Sequence, residues 1–150
     1  MRKMLCLMLL LGLSGCSSWN VAYAPVPLHT ADLDTAEVVV IRDMTYFAGT
    51  IGKMDDNWVV AVDDHAYAGL RPGQYTMFSV SADKAHEIGI KRHDVWWQDT
   101  KVPTILEPGK RYYYLARVAD MTSVGFDAIT PEEGQAWVGK SRYVQVANPK

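Results

Sequence analysis

Cys16 is the residue whose neighbours say most about its own chemistry. A cysteine thiolate is a strong nucleophile. This one follows Arg2-Lys3, an apolar run over residues 4–13 and the small residues Ser14 and Gly15. A short basic start, an apolar stretch and small residues before a cleavage point form the pattern of a secretory signal peptide. The apolar run is shorter than the ~20 residues a helix needs to cross a bilayer. The basic pair also sits at the end where a helix dipole disfavours cations. Residues 1–15 are therefore read as a signal peptide rather than as a core helix.

Leu13-Ser14-Gly15-Cys16 resembles the lipobox of bacterial lipoproteins, and the resemblance covers residues 1–16. It implies cleavage before Cys16, lipidation of the Cys16 sulfur, and a chain held to a membrane by that anchor. Ser17-Ser18 follow, and no Asp stands at position 17. By similarity to sorted lipoproteins this implies the outer membrane, on its periplasmic face. Residues 16–36 then form the lipidated N-terminus and a tether, in which Pro25 and Pro27 favour extended, semi-rigid spacing.

Other residues could do chemistry and are each open to a plainer reading. Asp63-Asp64-His65, with His86 or His93-Asp94, supplies imidazole and carboxylates for a metal. Divalent ions need three or more converging ligands, whereas Asp between strands commonly bonds its own backbone in a turn; no metal site is expected. Asp55-Asp56-Asn57 lacks the Gly and the distant Glu of a helical calcium loop. Residues 134–141 match the phosphate-loop pattern in every defined position. That motif works where a Gly-rich loop opens a helix. Here Thr130-Pro131 and Glu133 begin a helix before the first glycine, so no nucleotide is expected. Ser79, Ser81 and Ser123 lack the Gly-x-Ser-x-Gly elbow. Trp96-Trp97 is the best pointer to binding. Neighbours on a strand face opposite ways, so one Trp can enter the core while the other, beside His93, Asp94 and Asp99, meets a carbohydrate or a protein. The alternative is that both are covered. Candidate binding residues are thus Trp96, Trp97 and His93, and Cys16 is the lipidation site.

The elements that must position these residues are mostly strands. Residues 38–41, Val-Val-Val-Ile, read as a strand buried on both faces. Residues 58–62 read likewise, with a break at 63–65 and a return through Ala66-Tyr67-Ala68. Further strands are expected at 75–80, 86–91, 102–106, 111–118, 126–129 and 143–146. In residues 86–91, Ile88 and Ile90 share one face while Glu87 and Lys91 share the other. In residues 111–118, Tyr112, Tyr114, Ala116 and Val118 share one face while Tyr113, Leu115 and Arg117 share the other. Arg71-Pro72-Gly73-Gln74 and Glu107-Pro108-Gly109-Lys110 are Pro-Gly turns, the first of type II. A helix over residues 131–138 starts at a Thr130 capping box and stops at Gly139. The fold class is all-β: a small sandwich or open barrel of about eight strands with that one short helix. It occupies residues 37–150.

Charge and cysteine usage narrow the function classes. Loss of Arg2 and Lys3 lowers the 15 basic residues to 13 against 17 acidic ones, a net charge of −4. That disfavours nucleic acid, whose binding needs a basic face, and a polybasic membrane patch. Cys6 leaves with the signal, and the remaining Cys16 carries lipid. No thiol is left for a disulfide, a redox pair or a thiolate metal site.

Val38-Val39-Val40-Ile41-Arg42, Gly69-Leu70 ahead of Gly73-Gln74-Tyr75, and Pro108-Gly109-Lys110-Arg111-Tyr112-Tyr113 resemble a family of bacterial envelope lipoproteins with a small β-sandwich domain of unknown function. The resemblance covers roughly residues 37–120 and departs at Ser81-Ala82-Asp83-Lys84-Ala85, where the family usually has a Pro-Gly turn. It implies fold and location and carries over no catalytic residue. The resulting expectation is a non-catalytic binding or structural module that needs no cofactor and meets an envelope protein or peptidoglycan. Two alternatives stay open. One is an immunity or inhibitor lipoprotein neutralising a toxin; the other is an envelope hydrolase using His86 or His93 with Asp94.

Overall fold

The computed structural model describes residues 34–44, 57–82, 84–92, 100–119 and 124–146. Among them run nine strands and one helix: β1 (Thr35–Arg42), β2 (Trp58–Val62), β3 (His65–Leu70), β4 (Gln74–Ser81), β5 (Ala85–Arg92), β6 (Thr100–Ile105), β7 (Arg111–Val118), β8 (Val124–Ile129), α1 (Pro131–Val138) and β9 (Arg142–Tyr143). They form a five-stranded sheet in the order β8-β7-β1-β4-β9 and a four-stranded sheet in the order β3-β2-β5-β6. The fold is a small all-β sandwich. The last strand is shorter than the sequence pattern of residues 143–146 predicts: Val144 is still buried and its N–H still reaches the Tyr75 carbonyl, at 2.8 Å, but the ladder ends there.

Period-two alternation explains the layering. Even-numbered residues of the five-stranded sheet, among them Val38, Val40, Phe78, Tyr114, Ala116 and Phe126, face the second sheet and join Trp58, Val60, Leu70, Ile88 and Ile90 in the main core. Odd-numbered ones, Val39, Ile41, Tyr75, Met77, Tyr113 and Leu115, form a second apolar cluster on the other face, where Trp137 and Val138 of α1 pack. The run of four β-branched residues in β1 therefore marks a strand covered on both sides: the core lies on one, and residues of α1 join the cluster on the other.

Turn chemistry sets the connections. Gly73 has φ 72° and Gly109 has φ 71°, the left-handed corners expected after Pro72 and Pro108. Between β2 and β3, Asp63 (φ 49°) and Asp64 (φ 65°) are both left-handed. Two such residues in a two-residue hairpin make a type I′ turn, usually given to Asn-Gly because other residues are strained there. Thr130 caps α1 with a complete capping box, and the helix ends at Gly139. Gly139 is right-handed (φ −62°), so the stop does not use the left-handed conformation that makes glycine favourable at helix ends.

β1 and β7 run parallel to each other and antiparallel to β4. Thr35, Ser81 and Arg111 thus lie at one pole of the sandwich. Arg42, Gln74, Val118 and Arg142 lie at the other.

Candidate functional site

Each pole carries a polar bridge between the sheets. At the pole of Thr35, the side chain of His86 in β5 shares the inner face with Ile88 and Ile90 and is only 3% exposed. Its Nδ1 lies 2.7 Å from Oδ2 of Asp63. Its Nε2 lies 2.9 Å from the carbonyl oxygen of Ser81, at the end of β4, and 3.3 Å from Ser81 Oγ. Asp63 is fixed in turn: its Oδ1 accepts the Glu87 N–H at 3.0 Å, and its own N–H donates to the Glu87 carbonyl at 2.9 Å. The bond from the Glu87 N–H, with the His86 contact behind it, holds the Asp63 carboxyl below its ordinary value against an opposing effect of burial.

Aspartate, histidine and serine in contact have the composition of a hydrolytic triad, and only the geometry decides whether they act as one. A general base must face the hydroxyl with a lone pair. Nε2 lies closer to the Ser81 carbonyl oxygen, at 2.9 Å, than to Ser81 Oγ, at 3.3 Å, and Nδ1 is held by Asp63, so the ring is seated among structural partners rather than aimed at the hydroxyl. The arrangement ties β4 of one sheet to the β2–β3 turn and β5 of the other.

At the opposite pole the Arg42 guanidinium lies 3.9 Å from the centroid of the Trp58 ring, and its Nη1 donates to the Leu70 carbonyl at 2.8 Å. The sheets meet along their sides as well. Tyr114 OH donates to Thr104 Oγ1 at 2.9 Å, Thr100 Oγ1 donates to the Val124 carbonyl at 3.1 Å, and Tyr67 stacks on Phe78 at 4.4 Å.

A hollow of about 240 Å³ opens on the outer face of the four-stranded sheet, lined by Ala61, Asp64, Glu87, Gly89, Ile90, Lys91 and Lys101. Its floor is low because Ala61 and Gly89 are register partners. A Cβ on Gly89 would come within 2.7 Å of the Thr100 carbonyl oxygen and 2.9 Å of Lys101 Cγ. The glycine thus lets Lys101 lie across the strand, where Nζ reaches Asp64 at 2.7 Å and Glu87 at 3.2 Å. These bonds raise the Lys101 pKa and lower that of Asp64, Asp64 being the stronger partner. The two aspartates of the turn therefore divide: Asp63 points to the buried histidine and Asp64 to the lysine outside.

Cys16, His93, Trp96 and Trp97 lie outside the described residues, as do Asp55, Asp56, Asp94 and Ser123. His65 and Ser79 are exposed. Among the described residues no three His, Cys, Asp or Glu side chains gather as a metal site, and no helix is long and apolar enough to cross a membrane. In the phosphate-loop match, Gly134 lies inside α1 against the Tyr113 ring, which a Cβ would strike. Its absence of a side chain thus serves helix–sheet contact. Sequence reasoning did not bring together Asp63, His86 and Ser81. The available signal was a histidine on the apolar face of an alternating strand, which needs buried partners; their identity depends on register between distant strands. No protein-family model matches the chain, and no curated protein matches it.

Proposed function

We propose that the chain is a lipid-anchored envelope protein that faces the periplasm from the outer membrane and acts by binding, without chemistry of its own. The observation that carries the anchor is Leu13-Ser14-Gly15-Cys16 after a basic start and an apolar run. Binding is supported over catalysis by His86, whose Nδ1 is held by Asp63 and whose Nε2 lies closer to the Ser81 carbonyl than to the Ser81 hydroxyl. The partner is an envelope protein or peptidoglycan, with Trp96, Trp97 and His93 as the sequence's candidate contacts; nucleic acid and nucleotide play no part. The test is a crosslinked pull-down of the intact lipoprotein from native envelopes, with Cys16→Ala as control. A specific partner held by the lipidated form and lost from the control supports the reading. Recovery of the same material from both sinks it.

A second reading, hydrolysis at Ser81, draws on the contact chain Asp63–His86–Ser81. A fluorophosphonate probe tests it. The binding account expects no adduct on Ser81, and an adduct lost in Ser81→Ala or His86→Ala would favour the hydrolase.

A further inference from the structure

Two carboxylates and a lysine stand over the hollow of the four-stranded sheet with hydrogen-bonding capacity left over. Lys101 gives one ammonium hydrogen to Asp64 Oδ1 and one to Glu87 Oε2, and keeps a third. Among the described residues, the other oxygen of each carboxylate, Asp64 Oδ2 and Glu87 Oε1, accepts nothing. A donor and two acceptors thus converge beside a floor of Ala61, Gly89 and Ile90, and the Ile90 side chain belongs to the core beneath. The lining balances in charge, Asp64 and Glu87 against Lys91 and Lys101. Nothing that follows asks Lys91 to hold a ligand.

Stability does not account for this arrangement. Asp64 sits at φ 65°, a conformation that glycine takes without strain. Its neighbour Asp63 is tied to the buried His86, whereas the described side-chain bond of Asp64 is to Lys101 alone. The two side chains of that pair are 76% and 30% exposed, and exposed pairs contribute about 0–1 kcal/mol. The volume, about 240 Å³, is just below the ~300–1,000 Å³ of pockets that hold drug-sized molecules. It suits one small ring.

We infer that the hollow between Asp64, Glu87 and Lys101 binds one sugar ring of an N-acetylated glycan. A cationic ligand would have to displace Lys101 from both carboxylates, and an anionic one would face them; an uncharged ring does neither. Its hydroxyl and acetamido groups donate to the open carboxylate oxygens and accept the third lysine hydrogen, bonds strengthened because one partner in each is ionised. The carbon face of the ring lies on Ala61 and Gly89, where a larger side chain would lift it out of reach. The site stands on the hollow alone. That its glycan is peptidoglycan rests on the envelope reading above.

The test titrates chitotetraose, a soluble tetramer of N-acetylglucosamine, into the full chain in detergent and follows the amide resonances of Ala61 and Gly89. The inference predicts saturable shifts at both. Asp64→Gly removes a carboxylate where glycine suits the backbone, and Ala61→Leu fills the hollow from a partly exposed position. Each should weaken binding about tenfold or more with an unchanged melting temperature, while Glu107→Gln, outside the hollow, should bind as the parent does. If Ala61→Leu lowers the melting temperature, Asp64→Gly decides alone. No saturable shift in the parent chain, or an affinity that Asp64→Gly leaves intact, overturns the inference. Sedimentation with purified peptidoglycan separates it from the envelope reading. If peptidoglycan retains the hollow variants as well as the parent, the hollow falls and peptidoglycan stands as partner. Chitotetraose bound in the hollow without retention by peptidoglycan supports the site and removes peptidoglycan as its source.

Discussion

His86 illustrates how a residue of catalytic type can be committed to structure. Its position in the ladder puts it on the inner face of β5, where an unpartnered ring nitrogen is costly, and the chain supplies a polar partner for each nitrogen. Removing Asp63 orphans one of them. Asp63→Ala should therefore lower stability by about 1–3 kcal/mol, measured as a shift in urea midpoint. Asp64→Gly should leave the midpoint unchanged or raise it, because glycine suits φ 65° and the lysine pair lost is exposed. Acid titration gives a second check. The Asp63 carboxyl is depressed in the folded protein relative to 3.8. Its contribution is thus present above that value and lost as the pH falls through the lower folded one. In Asp63→Asn this acid-sensitive part of the urea midpoint should vanish; an unchanged profile would show that the Asp63 contacts do not form in solution.

At the scale of elements, local signals were legible and long-range partnerships were not. Alternation in residues 111–118 identified both faces of β7, and the Pro-Gly pairs marked two turns whose glycines are left-handed. The Thr130 capping box located the start of α1 because capping is decided within four residues. What α1 does was hidden: nothing local tells that Gly134 meets Tyr113, since that contact depends on where β7 lies in the sheet. The two helix glycines now separate. Gly134→Ala drives a methyl into the Tyr113 ring and should cost about 1–3 kcal/mol. Gly139→Ala meets only ordinary contacts and should be neutral or stabilising by up to about 1 kcal/mol, the helix preference of alanine. Thermal melts of the two variants compare them directly; equal losses would mean that α1 does not sit on the sheet.

For the whole molecule, the even and odd sides of the five-stranded sheet follow from sequence period, while the gathering of strand ends at two poles follows from topology. Strand ends distant in sequence share a pole because β1 and β7 run parallel and β4 returns between β1 and β9. The same topology puts Thr35, where β1 begins, at the pole of Ser81 and His86. The account joins this sandwich to a lipid on Cys16, and that link is open to one direct measurement: the intact mass of the protein extracted from the envelope. The account predicts a chain lacking residues 1–15 whose N-terminal Cys16 carries acyl groups. A mature chain with an unmodified Cys16, or one cut at another position, would contradict it.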